Sequence, residues 1–417
     1  MSERETGETI RATLETLDSA TLVNVWREKG IRAEDLVPDE RGTIGRPELD
    51  ASLTIDALRS GAFQPRGNPE EGGVVQGEVI GSGGMGVVRE GTQLSLRRPV
   101  AVKQVHQDDS PNRELRLAAF LREAWVSANL EHPNIIPVHA LCSDNGDPVL
   151  VMKRVEGVSW RAMLEDPQLA RDHGLDPRDP LRFHLRVLLR VCRAVHFAHT
   201  RGVVHLDLKP DNVMVGRHGE VYLLDWGLAA SFRADAESFL PRTADIQAVV
   251  GTPGYLSPEQ AAGLGTLLGP RTDIFLLGAV LHRVVTGSVP YTGGTLLQAL
   301  GQAFTCAPQV YGPDVPTELA AILTKAMMRS FEERYASAEE MRLALEHFVE
   351  HRDVNALLDE SWRRLSLLAE DHASDPSAPR DDSALRRVEN ECRFGFEEAL
   401  TRWPENEIGR AHTSELQ

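Results

Sequence analysis

The stretch Val203-Val204-His205-Leu206-Asp207-Leu208-Lys209-Pro210-Asp211-Asn212-Val213-Met214-Val215 decides how the rest of the chain is read. Apolar residues flank a polar centre made of His205, Asp207, Lys209, Asp211 and Asn212. A buried structural strand has no use for these groups, because an unpaired buried charge is costly. Downstream, Val221-Tyr222-Leu223-Leu224-Asp225-Trp226-Gly227 carries a single acid, Asp225. Two short apolar segments, each delivering an acid at its end, predict a hairpin that holds two carboxylates near one point. Carboxylate and amide oxygens gathered closely suit a hard cation such as Mg2+.

The chain around this stretch has 417 residues, enough for two or three domains, and is 41% hydrophobic, enough for a large core. Its formal net charge of −17 offers nucleic acid no counter-charge, so a nucleic-acid partner is not expected. The acidity reads as solubility. Cys142, Cys192, Cys306 and Cys392 are scattered and form no Cys-x-x-Cys pair. That pattern fits a reducing compartment, hence a cytoplasmic location, and speaks against disulfide or zinc frameworks. The opening Met-Ser-Glu-Arg-Glu-Thr lacks the apolar core of a signal peptide. The longest apolar run, Ile274 to Val285, is interrupted by His282 and Arg283 and is too short for a membrane helix.

Residues 1–73 read as a helical extension and linker. Ile10, Leu14, Leu17, Leu22, Val25 and Trp26 recur at near-helical spacing over 8–29, and Gly30 is a stop. A second helical patch is expected over 48–59, then a linker marked by Pro65, Gly67, Pro69, Gly72 and Gly73. The extension is expected to pack on the main domain and to carry no chemistry.

From Val74 the pattern alternates like strands. Val75 to Ile80 leads into Gly81-Ser82-Gly83-Gly84-Met85-Gly86-Val87-Val88. Glycines at 81, 83 and 86 let backbone approach phosphate oxygens without an intervening Cβ. A dinucleotide fold would need a helix next. Val87 to Thr92 reads instead as a strand, which favours a strand–turn–strand flap. The following strand, Pro99 to Lys103, ends on a lysine, and the helix from Leu115 to Leu130 supplies Glu123. A Lys103–Glu123 pair would hold the ammonium extended toward a phosphate. Pro133 terminates that helix.

Taken together, the glycine loop, Val100-Ala101-Val102-Lys103, Glu123, His205 to Asn212, Asp225-Trp226-Gly227 and Ser257-Pro258-Glu259 stand in the order and spacing of the protein kinase signature set. Over residues 74 to 350 the chain resembles the eukaryotic-like Ser/Thr protein kinases of bacteria. The resemblance implies an α+β, two-lobed kinase fold, with a small β-rich N-lobe and a larger helical C-lobe. It implies ATP and Mg2+ as cofactors and proteins bearing Ser or Thr as substrates. On that resemblance, Gly81, Ser82, Gly83, Gly84, Met85 and Gly86 would cover the ATP phosphates, with Ile80, Val88 and Ala101 around the nucleotide. Lys103, oriented by Glu123, would bind phosphate. Met152 would be the gatekeeper, and Lys153 to Val155 would meet the adenine. Asp207 would act as catalytic base, Lys209 would steady the γ-phosphate, and Asn212 and Asp225 would hold the metal. Phosphoryl transfer needs positioning and charge neutralisation more than covalent help, which these residue types supply.

The helix over 181–200 should bury Leu181, Leu185, Leu188, Leu189, Cys192 and Val195, leaving His196 and His199 as packing or surface residues. The activation segment would run from Asp225 to Glu259 and contains Ser231, Ser238, Thr243 and Thr252, with Thr243 where such kinases often autophosphorylate. Thr252 would contact Asp207 and Lys209. Glu259 would pair with Arg334, and Asp273 would cap the catalytic loop. Two positions depart from the family pattern. Leu206 stands where most members carry the Arg that clasps a phosphorylated activation loop, so readout of loop phosphorylation through that position is not expected. Trp226 replaces the usual Phe and is expected to pack beneath the glutamate helix.

The kinase-like region should close with a helix from Ala338 to Val349, carrying Leu343, Leu345 and Phe348. Residues 351–406 are expected to be helical, over 355–369 and 384–403, around a polar linker from Asp371 to Asp382. The second helix either begins tetratricopeptide-like repeats, a surface for protein partners, or is a plain C-terminal helix. Residues 407–417 read as translated sequencing-adapter sequence. The natural protein is therefore expected to run further, with membrane tethering by that downstream part left open. Two other functions compete with an active protein kinase. A pseudokinase scaffold is disfavoured because Lys103, Asp207, Asn212 and Asp225 are all retained. A small-molecule kinase is disfavoured by the docking-loop motif around Thr252.

Overall fold

The computed structural model describes residues 19–39, 42–45, 73–83, 86–106, 113–144, 147–172, 178–235, 240–352, 354 and 382–403. The helices expected over 48–59 and 355–369, and the tail from 407, lie outside these. The chain divides into two compact units, residues 1–342 and 343–417.

The first unit contains an antiparallel sheet of five strands, β1 (Val74–Gly83), β2 (Gly86–Gln93), β3 (Arg98–Val105), β4 (Val138–Asp144) and β5 (Asp147–Lys153), in the spatial order β1-β2-β3-β5-β4. Alternation of side chains sets its two faces. Val100 and Val102 of β3 join Val149, Val151, Val74 and Cys142 in one apolar layer. The other face, with Val105 and Leu150, is covered by Phe120, Leu121 and Ala124 of a helix. At a period of two, Lys103 falls on that helix-covered face with Val105.

Helix α1 (Ser19–Glu28) belongs to the N-terminal extension, and the helix covering the sheet is α2 (Arg113–Asn129). After β5 come β6 (Gly157–Ser159), α3 (Trp160–Glu165), α4 (Pro167–Asp172) and α5 (Pro180–Thr200). Helix α5 starts where Asp179 accepts the amide of Arg182 and Pro180 fills the first turn. Leu185, Leu188, Leu189, Cys192 and Val195 are buried, as the periodicity requires, whereas Leu181, in the first turn, is only partly buried.

Strand β7 (Val203–Val204) pairs with β10 (Ala230–Ser231), while β8 (Val213–Gly216) and β9 (Val221–Leu223) form an antiparallel hairpin. The segment after α2 is stitched to this hairpin, because the Leu223 amide donates to Asn134 O at 2.8 Å. Beyond it lie α6 (Pro258–Ala261), α7 (Pro270–Thr286), α8 (Leu296–Thr305) and α9 (Thr317–Ala326). Residues Thr272 to His282 of α7 are buried without a break, which explains the apolar run from Ile274 to Leu281.

A further helix, α10, covers 338–352. Leu345 and Phe348 are buried there, but Leu343 is 52% exposed, since residues two apart on a helix face opposite ways. In the second unit α11 spans Asp382–Arg402, and the Trp403 ring lies 4.0 Å from that of His351. No helix among the described residues is long and apolar enough to cross a membrane.

Candidate active site

The charged residues of the opening motif are brought together by backbone capping from one buried acid. Asp273, wholly buried on α7, accepts the amides of His205 (2.8 Å) and Leu206 (2.9 Å). His199 Nε2 lies 2.8 Å from the same carboxylate, so this histidine serves the loop's support and not a metal. His205 accepts the Asp207 amide at Nδ1 (3.2 Å), which leaves its Nε2–H to donate to Leu224 O at 3.1 Å. Leu206 and Asp225 take positive φ values of 65° and 60°. A non-glycine residue held there stores strain, and such strain concentrates at functional sites.

These constraints aim Asp207 into a shared polar cluster. Its carboxylate accepts Thr252 Oγ1 at 2.6 Å and lies 3.1 Å from Lys209 Nζ. Lys209 also donates to Thr252 Oγ1 at 2.7 Å. Asn212 Nδ2 donates to Asp207 O at 2.8 Å, which fixes the amide so that Oδ1 points the other way. That Oδ1 is buried and has no hydrogen-bond partner among the described residues. A buried acceptor left open needs an explanation, and a bound cation supplies one. The Leu224 amide donates to Asn212 O at 2.8 Å, which keeps the start of β8 beside the segment that leads from β9 to Asp225. Asn212 and Asp225 thus flank the β8–β9 hairpin on either side.

On the sheet side, Lys103 Nζ meets Glu123 Oε2 at 2.5 Å, and both residues are buried. Glu123 sits among Phe120, Leu121 and Ala124, so the packing of α2 on the sheet delivers the acid to the lysine. Arg122, the neighbouring residue, donates to Gly227 O at 2.9 Å and ties α2 to the Asp-Trp-Gly segment. Trp226 is wholly buried, with its ring 4.6 Å from that of His205.

The glycine loop is the hairpin between β1 and β2. Gly81 pairs with Val88, Ser82 with Val87, and Gly83 with Gly86, while Gly84 and Met85 lie outside the described residues. Ile80 is half exposed on β1. Met152 pairs across the sheet with Ala101, and Val155 follows the strand into the connection to β6. Lys153 is anchored there by a 2.6 Å hydrogen bond to the Tyr222 hydroxyl.

The segment after Asp225 is held by two buried devices. Glu259 accepts a two-pronged contact from Arg334, at 2.7 and 3.0 Å, plus Thr272 Oγ1 at 2.9 Å. Burial alone would push this carboxyl up, but the Arg334 charge and its hydrogen bonds outweigh burial and hold it below the usual range. The second device is apolar: Leu206 packs with Val204, Leu228, Ala230, Ile246, Val250 and Leu268. Thr243, which lies where such kinases often autophosphorylate, is only 5% exposed. Ser238 is outside the described residues.

A sequence model of the protein kinase domain matches residues 74–351, about two thirds of the chain. The chain belongs to the protein kinase family. Family membership brings ATP and a divalent metal with it, and the open Asn212 Oδ1 beside Asp225 fits a hard cation. Among the relatives, the serine/threonine-protein kinase PknD of Chlamydia felis is 32% identical over 289 residues, 65% of this chain and 30% of its own. The PknD of Protochlamydia amoebophila is 33% identical over 296 residues, 66% of this chain and 29% of its own. The chain therefore spans about a third of the length of these kinases.

Three members of the site escape sequence reasoning. Arg122 could have been suspected only from its place beside Glu123. Gln260 donates to Leu206 O (2.8 Å) and Val250 O (3.0 Å), joining catalytic loop to docking loop. The third lies in the N-terminal extension, where no chemistry is expected. Lys209 Nζ donates to Thr43 Oγ1 at 2.7 Å, and Thr43 Oγ1 lies 3.3 Å from Asp207 Oδ2.

Proposed function

We propose that this kinase transfers the γ-phosphoryl group of ATP to serine or threonine hydroxyls of proteins. The observation that carries the reading is the Asp207 carboxylate. It is fixed by Asn212, flanked by Lys209, and already in hydrogen-bond contact with a threonine hydroxyl. Asp207 orients the acceptor hydroxyl and takes its proton as the oxygen becomes a nucleophile. Lys209 stands beside both and neutralises negative charge as it develops on the transferred group. Lys103, held by Glu123, binds the phosphate chain, and the β1–β2 hairpin covers it. Ala101 and Met152 border the base, with Ile80, Val88 and Val155 around the nucleotide. Asn212 and Asp225 are the residues that would hold Mg2+, which when bound neutralises phosphate charge. The apposition of Lys209 and Thr252 at Asp207 supports serine and threonine acceptors over tyrosine, because a short side chain suits a base this tightly enclosed.

The test uses the full chain with labelled ATP, Mg2+ and a basic protein substrate, beside Asp207→Asn. Label should pass to the substrate with the wild type, disappear with the variant, and disappear again when divalent cations are chelated. Transfer that persists in Asp207→Asn would overturn the assignment of the base.

A further inference from the structure

The extension does more than pack on the kinase. It threads a threonine into the position of a substrate. Helix α1 is anchored on the C-terminal side of the domain through Trp26, whose buried indole donates to Ala261 O at 2.9 Å. The chain then reaches a closed turn. The Asp39 amide donates to Thr43 O (2.9 Å), the Gly42 amide to Asp39 O (2.8 Å), and the Thr43 amide to the Asp39 carboxylate (3.0 Å). The next residue pairs like a strand with the docking loop: Ile44 N–H donates to Gly251 O at 2.7 Å, and Gly251 N–H donates to Ile44 O at 2.9 Å. The Ile44 side chain is 1% exposed. Gly42 and Gly45, on either side, take φ values of 73° and 64°. A Cβ on Gly45 would lie 1.9 Å from Val249 O, so only glycine lets the chain leave the groove at this point.

The outcome is a hydroxyl held as a phosphoacceptor must be held. Thr43 Oγ1 is 2.7 Å from Lys209 Nζ, 3.3 Å from Asp207 Oδ2 and 3.3 Å from Thr252 Oγ1. Backbone pairing to a docking loop, with one side chain in a pocket, is a general way of recognising an extended peptide. A segment that merely blocked the site would need no hydroxyl at this point. We infer that Thr43 is this kinase's own phosphoacceptor, modified within the same molecule, and that Thr43 and Ile44 occupy the protein-substrate site until it is modified. The inference rests on the kinase reading above. In the step, the Thr43 hydroxyl proton passes to Asp207 and a bond forms between Thr43 Oγ1 and the γ-phosphorus. The bond from that phosphorus to the β–γ bridging oxygen breaks, and ADP leaves. Once Asp207 has released its proton to solvent, the product's charge of about −1.5 to −2 stands against the restored carboxylate, and that repulsion expels the segment. Ile44 in its pocket also defines the preferred substrate as a threonine followed by an aliphatic residue.

The experiment uses the full chain, stripped of phosphate, incubated with ATP and Mg2+ over a wide range of protein concentration. Phosphate is located by peptide mass spectrometry, and labelling of a synthetic peptide of residues 37–47 is followed in parallel. Phosphate should appear on Thr43 at a first-order rate that dilution does not change. Peptide labelling should show a lag that preincubation with ATP removes. Thr43→Val should abolish the self-modification and keep the segment docked, and Thr43→Ser should restore it. Ile44→Pro removes the donor to Gly251, so its KM for the peptide should be about tenfold or more below that of Thr43→Val. A labelled peptide with unmodified Thr43 would overturn this inference alone, as would a Thr43 rate that rises with protein concentration. Absence of label from both would overturn the kinase reading with it.

Discussion

Replacing Glu259 with glutamine probes how the segment that carries Thr252 is fixed. The substitution keeps shape and removes one charge from a pair whose side chains are 0% and 3% exposed. Arg334 would stay buried and charged, partly satisfied by Met328 O, Arg329 O and Arg271 O. Breaking a buried pair from one side costs about 3–5 kcal/mol, and these remaining acceptors argue for the lower part of that range. For a unit of 342 residues the entropy of unfolding is on the order of 0.7 kcal/mol/K. The melting temperature should therefore fall by about 4–6 °C at neutral pH.

The pH dependence supplies a second, independent check. The folded carboxyl sits below the usual range, so its contribution is fully present above about 4.3, the ordinary glutamate value. It is lost as pH falls through the lower folded value. The gap between wild type and Glu259→Gln should thus be constant from neutral pH down to that ordinary value and close below it. Calorimetry on both proteins across pH measures this. A gap that is absent at neutral pH, or that stays open under strong acid, would refute the reasoning.

Other perturbations address single links of the same structure. Lys103→Met removes the buried cation that Glu123 holds and should lower kcat by about 10²–10³ in peptide phosphorylation, with the melting temperature showing whether the fold persists. Thr243→Ala should leave the peptide rate near that of the wild type, because the segment is secured by apolar packing around Leu206. A fall of an order of magnitude would refute this. Leu206→Arg would place a charge in that apolar cluster at a cost of at least about 3–5 kcal/mol, seen as early urea unfolding. A midpoint equal to wild type would show that the cluster tolerates the charge. Trp26→Ala removes a buried ring and should weaken docking of the extension by about 3–5 kcal/mol. Hydrogen exchange at the Ile44 and Gly251 amides should quicken, and unchanged protection would show that α1 is not the anchor.

Much of the kinase core is legible in residue order because local rules govern it. Strands β1 to β3, and helices α2 and α5, lie within a few residues of where alternation and helical periodicity put them. The β8–β9 hairpin follows from two apolar runs around a turn, and the amide of Asn212 and the acid of Asp225 that flank it follow with it. The resemblance adds the long-range pairs Lys103–Glu123, Glu259–Arg334 and Asp273 with the catalytic loop. What escapes is of another kind. Nothing local marks Arg122 as a donor to Gly227, or Gln260 as the bridge between Leu206 O and Val250 O. Nor does its place in the activation segment show that Thr243 is buried.

By itself, the sequence determined the chemistry on offer. A lysine ends an apolar strand, an acid and an amide flank a hairpin, and a leucine stands where a phosphate-reading arginine is usual. These properties rest on side-chain type and short spacing, which physical rules read directly. Only the tertiary structure decided what that chemistry meets first. Thr43 lies 164 positions from Asp207, and no periodicity links them. Their contact arises because Trp26 fixes one end of the extension, Ile44 pairs with Gly251, and glycine backbone lets the chain turn in and out of the groove. Long-range contact of this sort depends on summed packing across the fold, not on any one residue's preference.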